Sequence, residues 1–447
     1  MTVNRRYFLM GSLATAVASK VSLASASDKV RIACVGFHNR GKAHLAAYPK
    51  VANTEIVALC DVDETVLAEG MQIVEKATGK RPAGYSDLRK LLEDKSIDGI
   101  SIATPNHHHT LQTIWGCQAG KDVYVEKPCS YNMFEARQIV TAARKYERMV
   151  QHGAGGSGVL LEARQRMQEG LIGEVYLSRG LCYKWRDTIG HAPVEAVPQG
   201  VDYELWQGPA PRHAFTRNRF HYNFHWFWDY GNGDIGNQGI HQMHAARFGA
   251  SLGIPKKITA MGGHYMFDDD QETPNTLNAA FEFERESGKT AMLEFEVRHW
   301  ISNNEAGIAL GRNDPSSGRP DPSAPAMTVG NVYYGSKGYL VMDGNYRNFK
   351  TFMGPGQEPG PGSTHEFGNT FSSFVDAIRS RKRDDLTAEI GEGAVSTMLV
   401  HLANISYRLG RTLHFDEKAY SCIGDPEANR MFTRPEYHAP FIVPSLA

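Results

Sequence analysis

The run VRIACV ends in Gly36-Phe37-His38-Asn39-Arg40-Gly41 and is followed by a segment with helical patterning. A glycine-punctuated turn between a strand and a helix lets backbone N–H groups and a helix N-terminus meet a pyrophosphate. His38 stands where the second glycine of that fingerprint belongs. Gly36, His38, Asn39 and Arg40 would face the phosphates. About twenty residues past Gly41, at the end of the next apolar run, Asp61 occupies the place of the carboxylate that accepts hydrogen bonds from an adenosine ribose. Asp61 and Asp63 would both repel the extra phosphate of NADP, and no arginine follows to attract it. The pattern calls for NAD rather than NADP.

Such a cofactor oxidises a secondary alcohol when a nearby group takes the hydroxyl proton as hydride leaves the same carbon. Two stretches offer that group. Lys127 follows the run DVYVE, at the carboxyl edge where ligands of open parallel sheets bind, and Pro128 stiffens its backbone. In GDIGNQGIHQMH, a helix starting at Asp234 would place Asp234, Asn237, His241 and His244 in one narrow polar stripe, with glycines on its other faces. The successive His107, His108 and His109 read differently. Side chains at a helix start diverge by about 100° per residue, so the three cannot converge on one metal ion, and no metal site is expected.

The elements that must position these residues follow two rhythms. From 28 to 152 short apolar runs (KVRIACVG, TEIVALCDV, DGISIAT, DVYVE, MVQHG) alternate with helical stretches, which predicts a doubly wound parallel sheet, a Rossmann domain. From 153 to 447 strand-like segments succeed one another without intervening helices (EVYLSRGLCY, KKITAMGGHYM, TLNAAFEFERE, TAMLEFEVRHW, TVGNVYYGSKGYLVM), which predicts an α+β domain with a large, mainly antiparallel open sheet. The stretch 303–325 reads as a surface insertion and GPGQEPGPGS as a linker. Two helices, one in NTFSSFVDAIRS and one in AVSTMLVHLANISYRL, are expected to close the chain. The fold class is α/β.

At 447 residues, with 41% hydrophobic and 22% charged residues, the chain has the composition of a globular protein too long for one core. A net charge of -1 gives no general attraction to nucleic acid or to an anionic membrane, and neither is expected as a partner. Six scattered cysteines without a C-x-x-C pair predict buried free thiols. At the N-terminus Arg5 and Arg6 precede Phe8 and Leu9 at the offsets of a twin-arginine address. A mildly apolar stretch follows, too short to span a bilayer, then Ala24 and Ala26 before a cleavage point at Ser27. Residues 1–26 are read as a signal peptide and the protein as periplasmic or otherwise exported.

The segments IATPNHHH, VYVEKP and GDIGNQGIH together resemble the glucose-fructose oxidoreductase, inositol dehydrogenase and rhizopine catabolism (Gfo/Idh/MocA) family, from Val30 through LANISYRLGR. The resemblance implies an NAD(P)-dependent oxidoreductase acting on a sugar or sugar derivative. It places Thr104, Asn106, His109, Glu126 and Lys127 at the nicotinamide end, makes His241 the base, and has Lys127 polarise the reacting hydroxyl. The family commonly carries an Asp four residues before this histidine, where Asn237 stands here. A neutral amide cannot stabilise an imidazolium as a carboxylate would, so His241 should stay neutral and ready to accept a proton. Tyr183, Trp185, Arg186, His225 and Trp226 offer the flat faces and fixed donors that a sugar needs, beside Asp234, Asn237 and His244. Two other readings stay open. Some relatives are glycosidases that oxidise, eliminate, hydrate and reduce again on one bound NAD, and a third possibility is a non-catalytic sugar-binding homologue. A folded-state export signal further implies that the cofactor travels with the protein and is recycled in place. The open sheet face implies a homo-oligomer, dimer or tetramer.

Overall fold

The computed structural model describes residues 29–446 apart from 155–156, 301, 303–304, 306–307, 309–326 and 366–367. The expected signal peptide and most of the expected 303–325 insertion lie outside the described residues. Six parallel strands, β1 (Val30–Val35), β2 (Thr54–Cys60), β3 (Ala83–Tyr85), β4 (Gly99–Ile102), β5 (Asp122–Val125) and β6 (Val150–His152), form one sheet in the order β3-β2-β1-β4-β5-β6. β1, β4 and β5 are mostly apolar and, apart from Arg31, buried, because helices cover both faces of the sheet. β3, with only the short sequence AGY, gave no apolar run to read. The order reverses between β1 and β4, so their carboxyl ends open a crevice.

The second sheet has ten strands in the order β14-β13-β12-β11-β7-β10-β9-β8-β15-β16. In chain order these are β7 (Val175–Tyr183), β8 (Lys257–Gly263), β9 (Thr276–Glu284), β10 (Thr290–Arg298), β11 (Thr328–Gly335), β12 (Gly338–Asp343), β13 (Phe349–Met353), β14 (Glu358–Pro359), β15 (Leu413–Asp416) and β16 (Ser421–Cys422). All its pairings are antiparallel except β7 with β10. Alternation along β9 and β10 sends Leu277, Phe281, Leu293 and Phe295 into the core and Glu282, Met292 and Glu294 to the other face. The helices Gly158–Gln168, Gly239–Gly249 and Ile390–Leu409 cover the core face.

Three expectations are corrected. The GPGQEPGPGS stretch is no linker: β14 lies in it and pairs with β13, because the turn at Gly354, with φ of +64°, folds the chain back. The two late helices do not end the chain, since β15 joins the large sheet beside β8 and the tail continues to Phe441. Nor do all late segments stay with the second sheet. Phe371, Phe374 and Val375 of helix Thr370–Ser380 pack on Val30, Ile32 and Tyr124 of the first domain. All six cysteines are buried and unpaired, as their apolar settings predict.

Candidate active site

A cleft of about 400 Å³ runs from the β1–β4 switch point to the second domain. At its start Gly36 has φ of +74°, and a Cβ there would lie 2.7 Å from the Thr104 methyl, so only glycine fits. The turn is tied to the second strand, for Asp61 accepts the Phe37 N–H at 3.0 Å and the Asp63 N–H at 3.1 Å. Burial pushes the Asp61 carboxyl up to about 6. Asp63 instead caps helix Glu64–Thr78, accepting the N–H groups of Thr65 and Val66. His38 keeps a negative φ and stacks its ring on His221, centroids 3.8 Å apart, while His221 Nε2 meets Asp63 at 3.1 Å. The side chain at the missing-glycine position is thus held on a partner ring. Asn39 is exposed beside it at the cap of helix Arg40–Ala47. Leu88, Leu205 and Phe441 also line the cleft, the last from a tail whose approach the sequence order conceals. An open backbone turn, a carboxylate and an apolar slot fit a dinucleotide.

The opposite end is built on the loop after β5. Glu126 is buried, accepting Arg40 Nε at 2.7 Å and paired with His44 Nε2 at 3.0 Å. Burial would raise its carboxyl, yet Arg40 and His44 hold it well below the usual range. Arg40 and Glu126 are therefore joined to each other in the wall they share. His44 in turn meets Ser101 at 2.9 Å, a buried support that sequence reading missed because its polarity is hidden in a helical pattern. Lys127 Nζ donates to the Asn237 carbonyl at 2.5 Å and lies 3.3 Å from its Oδ1. Burial lowers its ammonium to about 8, against the pull of Glu126. His241 lines the same end of the cleft, and its ring makes no hydrogen bond among the described residues. Burial first, then the Lys127 charge, hold its imidazole well below the ordinary value. The direction favours a neutral imidazole, and its leading cause is desolvation rather than the amide at 237.

The three histidines after Asn106 fasten loops to backbone carbonyls. His107 faces the Trp206 and Tyr230 carbonyls, His108 the Trp206 carbonyl, and His109 those of Thr104 and Pro128 at 2.7 and 2.6 Å. His109 thereby ties the Thr104 loop to the Lys127 loop. Thr104 donates to Gln112 at 2.8 Å, and Asn106 donates to Asn232 at 3.3 Å.

The expected continuous stripe is broken. One helix spans Gly233–Asn237, another Gly239–Gly249, with Gln238 between them. Asn237 and His241 line the cleft; Asp234 and His244 do not. Asp234 is buried, held by Arg186 through two bonds of 2.8 and 2.9 Å, by His299 at 3.0 Å and by Asn237 at 3.1 Å. Burial would raise its carboxyl, but Arg186 and His299 hold it well below the usual range. His244 lies beyond, against Ser396 at 2.9 Å. Of the expected sugar-binding groups only His225 joins Asn237 on the cleft wall. Trp226 lies under Arg186, Trp185 stacks on Trp300, and Tyr183 donates to Glu296 at 2.6 Å beneath Arg298. These positions follow from strand pleat and from pairing across the chain, which adjacency in sequence does not show. Tyr222 was missed. It lines the cleft, its hydroxyl accepting from Arg186 at 2.9 Å.

Residues 30–154 match the oxidoreductase family with an NAD-binding Rossmann fold, and residues 161–252 and 343–442 match the C-terminal alpha/beta domain of the same family. The chain belongs to the Gfo/Idh/MocA oxidoreductase family. Among similar members, a glycosyl hydrolase family 109 protein of Stenotrophomonas maltophilia is 30% identical over 223 residues, covering 45% of this chain and 47% of the relative. An alpha-N-acetylgalactosaminidase of Bacteroides fragilis is 28% identical over 151 residues, 33% of this chain and 36% of the relative. The chain thus spans half or less of the length of these curated relatives. The WlbA dehydrogenase of Bordetella pertussis, solved with NADH and UDP-GlcNAcA, shares the Gfo/Idh/MocA fold at a TM-score of 0.61 and 17% identity, over 87% of this chain and 98% of that one. The aldose-aldose oxidoreductase of Caulobacter crescentus gives a TM-score of 0.61 at 17% identity, over 87% of this chain and 100% of that one.

Proposed function

We propose that this Gfo/Idh/MocA chain oxidises a hydroxyl of a sugar or sugar derivative with bound NAD, His241 serving as base. One observation carries the reading: Lys127 and His241 meet at the end of the cleft that begins at Gly36 and Asp61. Bound there, the nicotinamide would accept a hydride from the substrate carbon. The Lys127 ammonium has three donors, and two point at Asn237, leaving one for the reacting hydroxyl. That hydrogen bond draws charge from the hydroxyl while neutral His241 takes its proton. Arg186 and Tyr222 sit behind Asn237 and keep this corner in place. Asp61, the carboxylate that lines the cleft after the second strand, supports NAD over NADP. The twin-arginine pattern at 5–9 supports export, and the exposed Met261 and Met292 on the uncovered sheet face support self-association.

A second reading, redox-neutral cleavage of a glycoside, is favoured by the relatives described as glycosyl hydrolase family 109 proteins. The same base would then begin oxidation, and the hydride would return after the aglycone leaves. The test is to mix the purified chain with candidate sugars and with aryl glycosides, without added cofactor, and record nicotinamide reduction and aryl release. His241→Asn should cut whichever rate appears by about 10²–10⁴-fold, with cofactor content unchanged. A rate within about threefold of the parent would place the base elsewhere. Reduction by no sugar and release from no glycoside would favour the non-catalytic reading.

A further inference from the structure

The segment 184–232, which links β7 to the helix Gly233–Asn237, leaves the second sheet and crosses to the phosphate turn of the first domain. It is fastened there at two places. The Asp202 N–H donates to the Val62 carbonyl and the Glu64 N–H to the Gly200 carbonyl, each at 2.9 Å, with an antiparallel bridge between Asp63 and Val201. Further on, His221 lays its ring on His38, centroids 3.8 Å apart and planes 11° from parallel, and its Nε2 meets Asp63 at 3.1 Å. His221 has φ of +52°, a left-handed backbone that a residue with a side chain keeps only where its surroundings hold it. We propose, on the reading that the cleft holds NAD, that the two imidazoles clasp the dinucleotide. His38 donates a ring N–H to the pyrophosphate, His221 positions that ring, and the cofactor leaves only when the stack opens.

Both rings line the cleft, so a phosphate at the turn would face them. His38 is exposed, and neither of its ring nitrogens is hydrogen-bonded among the described residues, which leaves a donor for an anion. The neighbouring cations are engaged, Arg40 with Glu126 at 2.7 Å and Lys42 with Glu69 at 3.3 Å. The helix Arg40–Ala47 opens with no acidic residue in its first turn and no side-chain cap, so its first N–H groups are the other donors a phosphate would find. In the usual fingerprint a second glycine lets backbone and phosphate approach closely. Here a side chain stands in that place, and the stack on His221 turns it from an obstruction into a ligand. Asp63 serves the same end: its Oδ2 fixes His221 while its Oδ1 caps the helix Glu64–Thr78. The next residue, Tyr222, accepts from Arg186 at 2.9 Å, so two consecutive residues of the segment meet the phosphate turn and the Lys127 corner.

The test is exchange of bound cofactor. The purified full chain is incubated with excess deuterated NAD and freed of unbound cofactor at intervals, and the labelled fraction of what stays bound is read by mass spectrometry. Exchange should be about tenfold or more faster in His38→Ala and in His221→Asn, as expected for the loss of a hydrogen bond to a charged group. Asparagine tolerates the left-handed backbone at 221, so the fold survives that change. The double variant should exchange no faster than the quicker single variant, because both act through one contact. The phosphorus NMR resonances of bound NAD should move in the same sense in both single variants and no further in the double. Exchange within about twofold of the parent in either single variant, effects that multiply in the double variant, or unmoved phosphorus resonances would overturn the clasp while leaving NAD in the cleft. Complete exchange in the parent at the first interval would overturn it too. A parent chain that neither retains nor takes up NAD would remove the cofactor reading and the clasp with it.

Discussion

At the scale of single residues the proposed chemistry turns on one ammonium and one imidazole that line the same cleft. Burial lowers Lys127 to about 8 and holds His241 well below its ordinary value. If Lys127 polarises the hydroxyl it must be protonated, so kcat/KM should fall as pH rises through about 8. In Lys127→Arg that alkaline limb should vanish, because a guanidinium keeps its charge there. A rate that climbs toward pH 8 would instead make Lys127 the base. Asp61 offers a second residue-scale test. Its carboxylate holds the Phe37 N–H and stands where the ribose hydroxyls would bind. Asp61→Ala should weaken NAD by about tenfold, the worth of a charged hydrogen bond, and narrow the preference against NADP. An unaltered ratio of the two dissociation constants would remove the residue from that role.

At the scale of elements the decisive feature is the break at Gln238 between the helices Gly233–Asn237 and Gly239–Gly249. It leaves the Asn237 carbonyl free for Lys127 while Asp234 stays buried against Arg186. Removing one partner of a buried ion pair strands the other, so Arg186→Met should cost about 3–5 kcal/mol in urea unfolding. It should also loosen Tyr222 and Asn237, raising KM more than it lowers kcat. A loss below about 1 kcal/mol would show that His299 suffices to hold Asp234. The polar pattern of GDIGNQGIHQMH was legible in the sequence; its division between the buried Asp234 anchor and the cleft-lining Asn237 and His241 was not. Each residue's direction depends on where the break falls, and no spacing rule sets that.

For the whole molecule, the cleft is closed by segments far apart in the chain: Gly36, Lys127, His241 and Phe441 all reach it. A dinucleotide enclosed by both domains and by the tail should leave slowly. The extensively washed mature chain is therefore expected to retain NAD(H), visible as reduced-nicotinamide absorbance after sugar is added, and to turn over without free NAD. A washed protein holding no cofactor and needing stoichiometric NAD would overturn the closed cycle and, with it, the reason proposed for a folded-state export signal.

Local pattern alone was enough for much of this protein. The turn at Gly36, the carboxylate at Asp61 and the run of buried strands depend on neighbours within a few residues, where glycine conformation, strand pleat and helix start leave a readable period. The same holds for Lys127, placed at a strand's carboxyl end by the run that precedes it. Tertiary structure alone decided which polar side chains meet. Arg186 with Asp234, His44 with Glu126, and Asn404 with Asn232 are pairs 48, 82 and 172 residues apart in sequence. Their choice of partner is set by burial, because a charge or amide removed from water must find a partner wherever the fold brings one. Strand pleat and ring packing turned Tyr183, Trp185 and Trp226 away from the cleft, and the course of distant segments brought Tyr222 and Phe441 into it.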